Sequence, residues 1–170
     1  MKNKQTFVAT LKIKTDEGNF LACYSPFGLA RLDFPGATEA RAQKSEVRNQ
    51  RSETPVMRWH ELTTRAVCCA LQGRPMAAKP PMDLSNGTVF QRQVWAALQD
   101  IQAGKTETYS RVAASLKKPK AARAVGSACG ANPVPLLIPC HRVVAAHGGL
   151  GGFSGGLHWK RKLLGREAAE

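Results

Sequence analysis

The sequence predicts an α+β protein: a small antiparallel sheet with a covering helix, then a helical half built around a helix-turn-helix. Three observations carry this. Residues 6–34 alternate apolar and polar in short runs. Apolar residues recur at helical spacing from Trp59 onward. A proline-bearing stretch, Gly73 to Pro81, separates the two regimes.

Thr6 to Lys14 puts Phe7, Ala9, Leu11 and Ile13 on one face, and Asp16-Glu17-Gly18 turns the chain. Phe20 to Tyr24 and Leu29 to Phe34 read as the next strands of a meander, parted by Ser25-Pro26-Phe27-Gly28. Residues 37–53 are polar and read as a surface helix or a loop. Trp59, Leu62, Ala66 and Cys69 then define a helix over the sheet, with Cys68-Cys69 on its buried face. A boundary near residue 84 divides the chain into an N-terminal domain, 1–84, and a C-terminal domain, 85–170.

In the second half, Phe90, Val94, Trp95, Leu98 and Ile101 form one helix face that ends at Gly104. Tyr109 to Leu116 is a short helix, Lys117-Lys118-Pro119 a turn, and Lys120 to Cys129 a second helix with Gly130 at C′. Helix, three-residue turn and helix is helix-turn-helix spacing. The second helix carries Ala121, Ala122, Ala124, Gly126, Ser127 and Ala128 around one long side chain, Arg123. So thin a helix suits close approach to a groove, or tight packing on a neighbour. Pro133 to Pro139 brackets a short apolar strand leading into Cys140-His141-Arg142. Residues 148–156 hold six glycines in nine positions, which brings backbone close to a ligand or makes a flexible hairpin. A last helix turns Trp159, Leu163 and Leu164 inward and Lys160, Arg161, Lys162 and Arg166 outward.

Composition narrows the function. With 43% apolar and 22% charged residues the chain of 170 is globular, not a disordered tail. No run of about 18 apolar residues exists, so no membrane span is expected. The opening residues lack the apolar core of a secretory signal, so the protein is expected not to be secreted. Five cysteines, an odd count, point to free thiols in a reducing compartment. No C-x-x-C occurs, so a structural zinc site lacks its cysteine pair and no metal is expected. The net charge of +13 points to a polyanionic partner. It is +5 over residues 1–84 and +8 over 85–170, which favours the second half as the contact.

Cys140 is the candidate nucleophile. It follows a proline and lies among basic groups, which would depress its pKa. A cysteine nucleophile needs a base and something to orient it. His141 is the neighbouring base, though adjacent side chains on an extended chain diverge, so a bend or a water must couple them. Acidic residues are scarce after residue 84, and Glu167 is the best orienting group. The competing reading is a core thiol beside a satisfied histidine.

The run Pro139-Cys140-His141-Arg142-Val143-Val144, with Asn132-Pro133-Val134-Pro135 before it and the glycine-rich loop after it, resembles the signature of O6-alkylguanine-DNA alkyltransferases. The resemblance covers residues 87–167. It includes Phe90-Gln91-Arg92-Gln93-Val94-Trp95, Tyr109-Ser110, Lys120-Ala121-Ala122-Arg123-Ala124-Val125-Gly126 and Leu163-Leu164 with Glu167.

It implies a ribonuclease H-like first domain and a winged helix-turn-helix second domain. Cys140 would accept the alkyl group, His141 would act as base through a water, Glu167 would hold the imidazole, Tyr109 would donate to guanine N3, and Asn132 would brace the turn. Arg123 would fill the gap left by a flipped nucleotide, with Tyr109, Ser110, Ala122, Ala124 and Gly126 on the DNA face. Val143, Phe153, Ser154, Gly155 and Lys160 would line the lesion pocket. The partner implied is double-stranded DNA containing alkylated guanine. A monomer with no cofactor, cytoplasmic and nucleoid-associated or nuclear, follows from the same resemblance.

Two departures stand out. Phe153 stands where relatives often carry tyrosine, so a hydroxyl hydrogen bond is lost. Cys23, Cys68, Cys69 and His60 are too few to expect the zinc of animal relatives. A non-catalytic group of relatives has tryptophan at the acceptor position, whereas this chain has Cys140. Two other classes remain to weigh: a helix-turn-helix module whose cysteine is idle, and a thiol hydrolase using Cys140 and His141.

Overall fold

The structure, a computed structural model, describes residues 6–36, 55–146 and 148–168. The polar segment 37–53 lies outside the described residues. Strands β1 (Ala9–Thr15), β2 (Gly18–Ser25) and β3 (Gly28–Asp33) form the antiparallel meander, in the order β1-β2-β3. The period-two pattern dictates it: Ile13 pairs with Phe20 in register, and both are buried.

Helix α1 (Pro55–Leu71) covers the sheet. Its buried face is Thr63, Ala66, Val67, Ala70 and Leu71. The expected stripe was one step out: Trp59, Leu62 and Cys69 are half-buried, and so is Cys68. The small residues go innermost because the sheet supplies the bulk beneath them, and Tyr24 reaches up to donate its hydroxyl to Thr63 Oγ1 at 3.0 Å.

The proline-bearing stretch is pinned to the sheet rather than loose. Leu29 N donates to Pro81 O at 2.8 Å and Asp83 N to Leu29 O at 2.9 Å. Gly28 makes this approach possible: its φ is +144°, and a Cβ there would lie 2.2 Å from Pro81 O.

The second half begins with α2 (Val89–Gln99), started by a capping box between Thr88 and Gln91. It ends at Asp100, short of Gly104. Strand β4 (Glu107–Thr108) leads directly into α3 (Tyr109–Ser115), which Thr108 caps. Lys117, at φ +58°, makes the turn to α4 (Ala122–Gly130). Gly130 belongs to that helix and Ala131 is its C-cap, so the glycine C′ end is not used. Trp95 Nε1 donates to Ala128 O at 2.8 Å and ties α2 to α4.

Residues 133–139 make no strand. Leu136 sits at φ +73°, Pro133 and Pro135 have no N–H to give, and the segment closes as a turn with an isolated bridge between Pro135 and Ile138. A 3₁₀ turn (Cys140–Arg142) and strand β5 (Val143–Val144), parallel to β4, follow; helix α5 (Leu157–Glu167) ends the fold.

One apolar cluster runs through both halves. Phe34 packs on Phe20 and on Trp159, with ring centroids 5.4 and 5.0 Å away. Gly28→Ala should therefore cost about 3 kcal/mol, from backbone strain and the clash with Pro81, and lower Tm by about 6–12 °C in a thermal melt.

Candidate functional site

Asn132 organises the site. Its Oδ1 accepts from Val134 N at 3.0 Å, while its Nδ2 donates to Ile138 O at 2.9 Å and to Cys140 Sγ at 3.1 Å. One side chain thereby closes the turn and fixes the thiol at its end. Cys140 is 3% exposed. Burial raises its pKa, against the pull of the Asn132 hydrogen bond and the Lys160 charge. The expectation of a thiol depressed by basic neighbours is thus overturned: desolvation of the thiolate outweighs the charges.

Cys140 and His141 lie together in the 3₁₀ turn, so the chain is bent here rather than extended. His141 is buried, and its Nε2 makes a 2.9 Å hydrogen bond with Glu167 Oε1. Glu167 also takes a fork from Arg142, with Nη2 to Oε1 at 2.8 Å and Nε to Oε2 at 3.0 Å. Burial would raise Glu167, but the hydrogen bonds and charges of His141 and Arg142 hold it at about 2. It is therefore a carboxylate that can only accept, so His141 carries its proton on Nε2 and a lone pair on Nδ1. That Nδ1 is buried and has no hydrogen-bond partner among the described residues. Burial lowers the His141 pKa, opposed by Glu167 and aided by the Arg142 and Lys160 charges, which favours the neutral ring.

Arg142 is the site residue that sequence reasoning missed. It stood inside the Cys-His-Arg run, but nothing local says that it would turn toward Glu167, 25 residues on. Its Nη1 is anchored on Ile101 O at 2.5 Å.

Lys160 is a correction of a different kind. Helical position put it outward, yet it is fully buried, on the same face as Leu163 and Glu167. Its Nζ donates to Val143 O at 2.5 Å and to Gly152 O at 3.5 Å, so the cation is paid for by two carbonyls. Leu164, expected inward, is half-buried.

The β4–β5 pairing of Glu107 with Val143 and Thr108 with Val144 sets Tyr109 beside this segment. A cleft of 770 Å³ opens there. Tyr109, Ser110, Ala122, Arg123 and Gly126 line one side, Phe153 and Ser154 the other. Arg123 is exposed at its rim. Ala124 is exposed and does not line it, and Gly155 lies behind it against Phe34. Gly151, at φ +67°, has no room for a Cβ: it would lie 2.5 Å from Tyr109 Oη. Phe153 joins the cleft to the buried base, its ring edge-on to His141 at 6.3 Å. Cys140 itself is buried and is not among the lining residues.

Among the described residues no group of three or more His, Cys, Asp or Glu side chains is placed to hold a metal. His60 instead meets Tyr24 Oη at 3.0 Å, and Cys23 faces Arg31. No helix among them is long and apolar enough to cross a membrane.

Fold and site together define a helix-turn-helix protein with a buried cysteine, histidine and glutamate beside the two-helix cleft. Comparison with known proteins agrees. Residues 89–169 match the profile of the 6-O-methylguanine DNA methyltransferase DNA-binding domain. The chain superposes on the crystal structure of Mycobacterium tuberculosis OGT in complex with DNA with a TM-score of 0.74 and 30% identity, covering 95% of this chain and 94% of that one. It is 48% identical over 104 residues to the regulatory protein Ada of Salmonella typhimurium, 61% of this chain and 29% of that protein. It is 51% identical over 81 residues to the methylated-DNA–protein-cysteine methyltransferase of Mycolicibacterium paratuberculosis, 48% of this chain and 49% of that protein. The aligned part thus spans under a third of the Ada protein and about half of this methyltransferase. The chain belongs to the O6-methylguanine-DNA methyltransferase family.

The Glu167 pairing makes an acid-stability prediction. A carboxyl held at about 2 when folded, against 4.5 when free, contributes stability that is present above pH 4.5 and is lost as pH falls toward 2. The shift corresponds to roughly 3 kcal/mol. Glu167→Gln should lose about this much at neutral pH, and its denaturant-measured stability should fall less steeply than wild type between pH 4.5 and 2.

Proposed function

We propose that this protein repairs DNA by moving a methyl or larger alkyl group from O6 of guanine, and from O4 of thymine, onto its own Cys140. Residues 85–170 form the DNA-binding and acceptor domain, and residues 1–84 support it. The observation that carries this reading is the buried thiol, held by Asn132 and followed in the chain by a histidine whose Nδ1 has no partner among the described residues, beside a cleft framed by the helix-turn-helix.

The chemistry follows from the site. At rest the buried thiol keeps its proton. His141 Nδ1, through a water, takes that proton as Sγ attacks the alkyl carbon. The S–C bond forms as the C–O6 bond breaks, and the bonding pair moves into the purine. Tyr109 donates a hydrogen bond to N3, which stabilises the negative charge of the departing guanine. The imidazolium then gives this proton up to the departing guanine. Thiol and O-alkylguanine become thioether and guanine, with no cofactor and no electron left over. The carbonyls of Cys140 and Val143 accept from the guanine amine, Ser154 backbone faces O6, and Lys160 supports the Val143 carbonyl from behind. A thioether does not revert, so each molecule acts once.

The target atom is inside the duplex, so the nucleotide flips out and Arg123 fills its place. The small residues of α4 then serve approach to the minor groove rather than packing alone: Ala124 and Ser127 are exposed. Binding rests on phosphate contacts and falls steeply with salt. The same reading makes the protein a monomer located with the DNA, in the cytoplasm with the nucleoid or in a nucleus.

Intact-protein mass after incubation with a duplex carrying one O6-methylguanine tests this. The expected result is a gain of one methyl group per molecule, abolished by Cys140→Ala. Tight lesion binding with no mass gain would instead assign the fold to a module with an idle cysteine. Arg123→Ala should slow transfer from duplex DNA by about tenfold or more while leaving transfer from the free base within about twofold, because only the duplex requires flipping. Equal slowing on both substrates removes Arg123 from that role.

A further inference from the structure

Phe34 lies at the end of the N-terminal sheet, outside every role assigned above. It is 6% exposed and sits among three rings. Phe20 and Trp159 hold it from the core side. On the other side is Phe153, edge-on with centroids 5.5 Å apart. Phe153 in turn meets His141. A row of rings therefore runs from the N-terminal sheet to the buried base, and Phe153 is the member that lines the cleft.

Two further contacts fix Phe34 against the loop that carries Phe153. Leu32 N donates to Pro133 O at 2.9 Å, which docks this edge of the sheet on the Asn132 turn. Gly155 presses its backbone on the Phe34 ring, where a Cβ would lie 2.6 Å from Cε2. The loop itself, with glycine at 148, 149, 151, 152, 155 and 156, has little side-chain packing of its own. The depth to which Phe153 can retreat from the cleft is therefore set by the ring behind it.

We propose that Phe34, from the N-terminal sheet, is the backstop of the alkyl pocket and sets the size of the alkyl group the site accepts. This rests on the alkyl-transfer reading and deepens it. Shortening the backstop lets Phe153 withdraw, which gives room to a bulky group and nothing to a methyl group. Pocket walls of this kind discriminate about tenfold or more per added carbon.

The test measures single-turnover transfer from duplexes carrying O6-methylguanine or O6-benzylguanine, with Phe34→Leu as the variant that keeps an apolar core. Phe34→Ala, which leaves a larger cavity, serves as a second variant where it folds. The ratio of benzyl to methyl rates should rise about threefold or more in Phe34→Leu. Amide exchange should quicken in residues 148–156 while α2 and α4 keep wild-type protection. An unchanged ratio with an active wild type overturns the inference alone, as does exchange that quickens throughout the fold. Wild-type protein that takes up neither group overturns the alkyl-transfer reading and this inference together.

Discussion

Glu167 brings a negative charge into a place almost without solvent, and the arrangement of the site follows from how that charge is neutralised. Arg142 meets it with a fork and His141 with one N–H. The fork keeps the carboxyl ionised. An ionised carboxyl dictates the histidine tautomer, and the tautomer places the lone pair on Nδ1. Because Arg142 already shares the carboxylate, His141 is not forced into the cationic form. The site therefore holds an imidazole kept toward its neutral form beside a thiol that burial keeps toward its protonated form.

That arrangement depends on parts far apart in the chain. The Asn132 turn sets Cys140, the 3₁₀ turn carries Cys140, His141 and Arg142 in succession, and α5 returns with both Glu167 and Lys160 on one face. The N-terminal sheet touches the same assembly through Phe34 and Leu32, so the two halves share a core rather than merely a linker. Ionic contacts reinforce this: Glu17, in the β1–β2 turn, pairs with Lys162 and Arg166 of α5. The helix that carries Glu167 is thus held from the first half of the chain.

Much of this was legible in the residues. Alternation in 6–34 determined three strands and their meander, because one face of a sheet must be buried and a one-residue slip would reverse it. Helical spacing determined α2, and the Lys117-Lys118-Pro119 break determined the α3–α4 pair. The resemblance, whose motif is local, names Cys140, His141, Asn132, Tyr109 and Glu167 together, and the structure joins Asn132 to Cys140 and His141 to Glu167. What failed had a common cause. The apolar run 133–139 looked like a strand, but a side chain of Asn132 and a positive φ at Leu136 close it into a turn. Lys160 looked exposed because lysine usually is, but two carbonyls are aimed at its ammonium.

The sequence by itself therefore determined the elements, their order and the chemistry available at Cys140, since periodicity and motif are properties of neighbours along the chain. Only the tertiary structure decided the protonation state of that chemistry. Burial raises the thiol and Arg142 fixes the carboxylate, and both effects come from desolvation and from partners remote in sequence. The same holds for the row of rings behind Phe153. It is assembled from β2, the residue after β3, the glycine-rich loop and α5, and no spacing along the chain encodes which of those rings will touch.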